Sequence, residues 1–219
     1  MTIPATVLFD LDGTLLDTAP DMGTAANRVL AEYNLPPLSQ EQIYRHTSYG
    51  ARGLLTAGFG DKAKEQDPIA LRARFLHHYG QAICSGTTLY EGIEALLDLL
   101  EHQAISWGIV TNKPEGLTHR LLTFFPRLQQ AQVIVGADTY AQAKPHPLPL
   151  LEAAKTLNCA PEHCFYVGDI ENDMLAARAA NMRAAVAAWG YTGGDDVISK
   201  WEADHIFATP HHLSAFIGS

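Results

Sequence analysis

Apolar positions along the chain follow two different periodicities. Val7, Leu8 and Phe9 form an unbroken apolar run, as suits a strand buried on both faces of a parallel sheet. No strand-like run follows between Leu16 and about Gly86, where helical spacing recurs instead. Met22, Ala25, Ala26, Val29 and Leu30 predict a helix over 18–33, ended by Pro36-Pro37. Ser39 with Gln42 predicts a capping box. Residues 48–53 read as a glycine-bearing turn leading into a helix through Leu54 and Leu55. Asp67-Pro68 opens another helix, with Ile69, Arg72, Phe75, Leu76 and Tyr79 as its expected stripe. This stretch therefore predicts a small helical unit, 17–86, inserted into a core made of 1–16 and 87–219.

From Tyr90 onward helix and strand alternate. Ile93, Leu96, Leu97 and Leu100 line a helix, and a buried strand follows at 105–110. Further strands are expected at 133–135, 164–167 and 184–187, with a weak one at 205–208. Helices are expected near 115–125, 148–157 and 172–180, with Asn181 as a left-handed cap, and a short one at the end. Such alternation predicts an α/β fold with a parallel sheet and right-handed crossovers.

Composition narrows the function classes. The 219 residues are 47% apolar and 18% charged, which describes an ordinary folded protein with a sizeable core. A formal charge of −9 argues against a nucleic-acid partner, which usually requires a basic face. No apolar run approaches the roughly 20 residues that span a bilayer, and the N-terminus has no signal pattern, so the expectation is a cytoplasmic protein with no membrane partner. Cys84, Cys159 and Cys164 lack Cys-x-x-Cys spacing, and the ten histidines include no His-Glu-x-x-His, so reduced thiols and no zinc site are expected.

The chemistry starts where the first strand stops. Asp10 and Asp12 alternate with Leu11, so an extended chain points both carboxylates to one side. Asp-Gly is also ordinary turn chemistry, yet these acids follow a buried strand, and ligands of open α/β sheets collect at strand carboxyl ends. Two adjacent carboxylates repel, so the pair requires a cation, a shared proton or both. Polar residues follow later strands as well: Thr111-Asn112, then Lys144 before Pro145, then Gly168-Asp169 with Asp173 one helical turn on. Thr111 with the following backbone N–H suits a phosphoryl oxygen, although it could equally cap a helix. Hard oxygen donors at one sheet edge suit Mg²⁺, and together they indicate metal-assisted phosphoryl transfer.

In order and spacing, Asp10-Leu11-Asp12-Gly13-Thr14, Thr111-Asn112, Lys144-Pro145 and Gly168-Asp169 with Asp173 resemble the four motifs of the haloacid dehalogenase superfamily. The resemblance implies a Rossmann-like core with an inserted helical cap domain. It implies Asp10 as nucleophile and Asp12 as general acid and then base. It further implies Mg²⁺ on Asp10, the Asp12 backbone carbonyl and Asp169, with Asp173 supporting that shell. Thr111, Asn112 and Lys144 would bind the phosphoryl group, Lys144 also offsetting the charge of Asp10. A second Asp in the first motif separates phosphatases from dehalogenases. Leu16-Asp17-Thr18, the run 110–114 and Lys144-Pro145-His146-Pro147 are most similar to phosphoglycolate phosphatase-like members. The run 107–114, Trp189-Gly190-Tyr191 and 201–204 also resemble the branch acting on N-acetylmuramate 6-phosphate. Ile170 and Asn181 depart from the usual Ser and Gly.

The expected partner is a small-molecule phosphate monoester, and the chain is expected to be a monomer or homodimer. In the 50–53 segment, read as a loop facing the site, Arg52 can grip a substrate carboxylate bidentately or simply be solvated at a helix start. A sugar phosphomutase keeps the same acids but would return the phosphoryl group instead of releasing phosphate. A binding or scaffold protein could retain the fold without activity.

Overall fold

The computed structural model describes residues 3–193 and 195–219. The chain divides into two compact units, one formed by Met1–Leu16 with Leu89–Ser219 and the other by Asp17–Thr88. The strands are β1 (Thr6–Phe9), β2 (Leu16–Asp17), β3 (Thr88–Leu89), β4 (Ser106–Val110), β5 (Ile134–Val135), β6 (Cys164–Gly168), β7 (Arg183–Ala187) and β8 (His205–Phe207). The short strands β2 and β3 pair with each other where the chain passes from one unit to the other and back. At two residues each, they are too short to show a hydrophobic period.

In the larger unit, six strands pair in the order β5-β4-β1-β6-β7-β8, and every pairing is parallel. Val7, Leu8 and Phe9 are fully buried because β1 lies in the middle of this sheet. From β1 the chain order runs outward to β4 and β5 on one side and to β6, β7 and β8 on the other. The carboxyl end of β1 is therefore the topological switch point, where a crevice opens in sheets of this type. Phe9 is in register with both Ile109 and Val167. The chain consequently leaves three neighbouring strands at nearly one level, at Asp10, Thr111 and Asp169.

Helices complete the unit: α5 (Ile93–His102), α6 (Glu115–Leu122), α7 (Leu148–Thr156), α8 (Glu171–Ala179), α9 (Asp195–Ile198) and α10 (Pro210–Ile217). Asn181 has φ 60, as expected of a left-handed cap, and its N–H closes on the Arg178 carbonyl. A core of Leu8, Val110, Leu150, Ala153, Tyr166, Met174, Ala177 and Val186 fills one face of the sheet.

The smaller unit holds α1 (Ala19–Glu32), α2 (Gln40–Thr47), α3 (Gly50–Phe59) and α4 (Pro68–Gln81). The Ser39–Gln42 capping box is formed, and the Asp67 side chain caps α4 by accepting from the Ile69 N–H. The buried stripe of α4 is Leu71, Phe75 and Tyr79, at four-residue spacing, while Ile69 is 79% exposed. The expected stripe was offset because Ile69 lies in the first turn, off the line that those three residues define. One buried carboxylate ties this unit together. Asp21 accepts from the Ser85 N–H at 3.0 Å, the Gly86 N–H at 3.0 Å, and the Thr87 N–H and hydroxyl at 2.8 and 2.6 Å. Asp21→Ala strands these donors and should lower the unfolding free energy by about 3 kcal/mol, measured by urea denaturation, with Asp21→Asn keeping part of the loss.

Candidate active site

Lys144 sits at the centre of the gathered side chains. Its ammonium is buried and lies 3.1 Å from Asp10 Oδ1 and 2.7 Å from Asp173 Oδ1. It also donates to the Tyr166 hydroxyl at 2.6 Å, which in turn donates to the Val110 carbonyl at 2.8 Å. Burial acts to lower the Lys144 pKa, but the Asp10 and Asp173 carboxylates outweigh it and hold it above the usual lysine value. The backbone around Lys144 is fixed by Asn112, whose side-chain amide donates to the Lys144 carbonyl at 2.9 Å and accepts its N–H at 3.1 Å. The Asn112 side chain thus places Lys144.

Asp10 leaves β1 with its N–H bonded to the Val167 carbonyl at 2.9 Å. Its Oδ1 accepts the Leu11 N–H at 2.8 Å as well as Lys144. Burial raises the Asp10 pKa to about 6, with Asp173 and Asp12 adding repulsion and Lys144 opposing them. Asp169 is held at both oxygens: the Thr14 hydroxyl donates to Oδ1 at 3.2 Å and the Tyr191 N–H to Oδ2 at 2.8 Å. Burial, then the Asp10 and Asp173 charges, push its carboxyl well above the usual range. Asp173 caps α8 from inside, its Oδ2 accepting the Asp169 and Ile170 N–H groups at 3.1 and 3.2 Å.

Asp10, Asp169 and Asp173 each offer a carboxylate oxygen, all within 4.8 Å of one another, and all three are buried. Lys144 is the one ammonium in the described ion pairs of this trio, shared between Asp10 and Asp173, so three carboxyl groups face a single positive charge. An all-oxygen set with that excess of acid fits a divalent cation. Asp12 stands apart from the trio, its Oδ1 paired with Lys113 Nζ at 2.9 Å. Thr111 is buried, and its Oγ1 accepts the Lys113 N–H at 3.2 Å, which frees its hydroxyl proton to donate elsewhere. Pro114, not Thr111, is the N-cap of α6. Arg52 lies on α3 of the smaller unit and is exposed; the segment 50–53 is the first turn of that helix and not the expected loop. The Gly53 N–H already bonds back to the Tyr49 carbonyl in helical fashion.

A model of the Haloacid dehalogenase-like hydrolase family matches residues 7–187. The chain belongs to that family. It is 44% identical over 215 residues to a phosphoglycolate phosphatase of Xanthomonas campestris, covering 97% of this chain and 96% of the relative. It is 34% identical to an N-acetylmuramic acid 6-phosphate phosphatase of Pseudomonas aeruginosa, covering 94% and 92% of the two chains. Among solved structures, a predicted phosphoglycolate phosphatase from Haemophilus somnus superposes with a TM-score of 0.86 at 27% identity, covering 99% of each chain.

Several partners in this haloacid dehalogenase-like site had no role assigned to them from the sequence. The loop after β7 closes over the acids: Trp189 Nε1 donates to the Thr14 carbonyl at 2.9 Å, and Tyr191 supplies its N–H to Asp169. The Thr14 hydroxyl reaches Asp169 across 155 positions of the sequence. Gly13 has φ +83, and a Cβ there would lie 2.1 Å from Asp169 Oδ2. At Gly190 a Cβ would meet the Gly13 carbonyl oxygen at 2.1 Å and Asp169 Cβ at 2.5 Å. Tyr166 carried a readable hint, since a phenol in an otherwise apolar strand needs a buried hydrogen-bond partner. Gly190→Ala should therefore cost about 1–3 kcal/mol by overpacking and displace Asp169. Denaturation together with Mn²⁺ titration should show both a lower midpoint and weakened ion binding.

Proposed function

We propose that this phosphoric monoester hydrolase is a Mg²⁺-dependent phosphatase of a small carboxylate-bearing ester resembling 2-phosphoglycolate, acting through an aspartyl-phosphate on Asp10. The observation that carries the reading is the Asp10 carboxylate at the β1 switch point, held against the buried Lys144 ammonium at 3.1 Å. The phosphoglycolate phosphatase relatives at 42–44% identity support the substrate class.

Both of the Asp10 hydrogen-bond partners described above fall on Oδ1, which leaves Oδ2 as the attacking oxygen. Attack forms the bond from Oδ2 to phosphorus and breaks the bond to the ester oxygen, and Asp12 gives that departing oxygen a proton. Asp12 then takes a proton from the water that attacks phosphorus, releasing phosphate and restoring Asp10. The Thr111 hydroxyl, the Asn112 N–H and Lys144 hold the phosphoryl oxygens meanwhile, and Lys144 keeps the nucleophile and phosphoryl charges from repelling. Asp10, the Asp12 backbone carbonyl and Asp169, supported by Asp173, would hold Mg²⁺, which supplies charge neutralisation for the transferring group. Within this proposal the inserted helical unit, 17–88, is the cap, and Arg52 is its candidate for the substrate carboxylate. A second reading, N-acetylmuramate 6-phosphate as substrate, draws on relatives of that name at 34–35% identity.

Phosphate release from 2-phosphoglycolate, N-acetylmuramate 6-phosphate and hexose phosphates tests the proposal. 2-Phosphoglycolate should show the highest kcat/KM, and EDTA should abolish turnover until Mg²⁺ is restored. Asp10→Asn should lose more than about 10³-fold in kcat. Arg52→Ala should raise KM for carboxylate-bearing esters alone. Muramate phosphate as the best substrate would favour the second reading, and an isomerised product without free phosphate would mean a mutase.

A further inference from the structure

Lys113 has no place in the chemistry above, yet its side chain is only 5% exposed. Lysine is almost never buried this far unless paired, because desolvating an ammonium is costly. Its described partner is Asp12, at 2.9 Å. The backbone that delivers this ammonium is pinned on both sides. The Lys113 N–H donates to Thr111 Oγ1 at 3.2 Å, and its carbonyl accepts the Ala137 N–H at 2.9 Å and the Thr118 hydroxyl at 3.4 Å. Asp12 is comparably fixed, because the next residue, Gly13, closes a tight turn by donating its N–H to the Leu16 carbonyl at 2.8 Å. Two ammonium groups thus divide between two neighbouring acids: Lys144 is bonded to Asp10, and Lys113 to Asp12.

We propose that Lys113 is a positioning residue for the proton carrier: by binding Asp12 Oδ1 it turns Oδ2 toward the ester oxygen of the substrate. The inference rests on the assignment of Asp12 as the acid in phosphoryl transfer. When the proton passes from Oδ2 to the departing oxygen, Asp12 is left as a carboxylate, and its new charge lies beside an ammonium already in place. The contribution of Lys113 is therefore confined to leaving groups that need a proton.

The test compares kcat/KM, which reports the steps up to phosphoryl-enzyme formation, for an alkyl ester (2-phosphoglycolate) and for 4-nitrophenyl phosphate, whose leaving group departs without protonation. Lys113→Met should lose about 10–100-fold on the alkyl ester, part of the 10²–10⁴ that general acid catalysis supplies, and less than about 3-fold on the aryl ester. Lys113→Arg, which keeps the cation, should recover part of the alkyl-ester loss. In an Asp12→Asn background, adding Lys113→Met should cost nothing further on the alkyl ester. Equal losses on both esters, with no recovery in Lys113→Arg, would make Lys113 a structural residue and overturn the proposal. An Asp12→Asn loss that is itself independent of the leaving group would instead sink the assignment of Asp12 as acid, and the Lys113 proposal with it.

Discussion

The site depends on one buried ammonium. Lys144 lies between Asp10 and Asp173 with its third described bond on the Tyr166 hydroxyl, so its donors are met inside the protein and not by water. Without that cation, three buried carboxylates would face one another at the end of β1, and burial would drive them to protonate. With it, the cluster keeps an excess of negative charge suited to a divalent ion, and among the described contacts Asp10 Oδ2 keeps no partner. Removing either partner of such a pair is far more costly than the pair is stabilising, because the survivor stays buried and unpaired.

The fold supplies this arrangement through register. Because Phe9 is level with Ile109 and Val167, the first residues beyond β1, β4 and β6 emerge together at the switch point. Lys144 comes from a loop and not from a strand end, which is why a dedicated clamp is needed. Asn112, itself just past β4, holds the Lys144 backbone at both its N–H and its carbonyl. Asp169 is set from two further directions, by Thr14 and by the loop carrying Tyr191. Lys144, Thr14 and Tyr191 thus reach the trio from loops that described hydrogen bonds tie to the strand ends or to one another.

Asp10 and Asp169 were legible in the sequence because each follows an apolar run, and a strand end in a parallel sheet is a physically defined place. The alternation of strand and helix after Tyr90 was legible for the same reason. Lys144, in a loop, was legible only through the company of the other motifs. What could not be read was pairing at long sequence separation. Thr14 carries no sign of a partner 155 positions away, and only tertiary structure brings it to Asp169. Asn112 was read for its backbone N–H beside Thr111, and the bonds from its side-chain amide to the Lys144 backbone, 32 positions on, were not legible. The 50–53 segment looked like a loop because glycines punctuate it, but neighbouring helical hydrogen bonds override that preference, so Arg52 stands on a helix. Ile69 fitted a stripe with Arg72, Phe75, Leu76 and Tyr79 by spacing, whereas the phase of α4 is set by Leu71, Phe75 and Tyr79.

The central claim is that Asp10, charge-matched by Lys144, takes the phosphoryl group onto itself. The stereochemical course at phosphorus tests this directly, using an alkyl thiophosphate ester whose phosphorus carries sulfur and two different oxygen isotopes, hydrolysed in water labelled with the third, so that the released thiophosphate is chiral. Two successive in-line displacements, first by Asp10 and then by water, predict overall retention of configuration. Inversion would mean a single direct attack by water and would contradict the account.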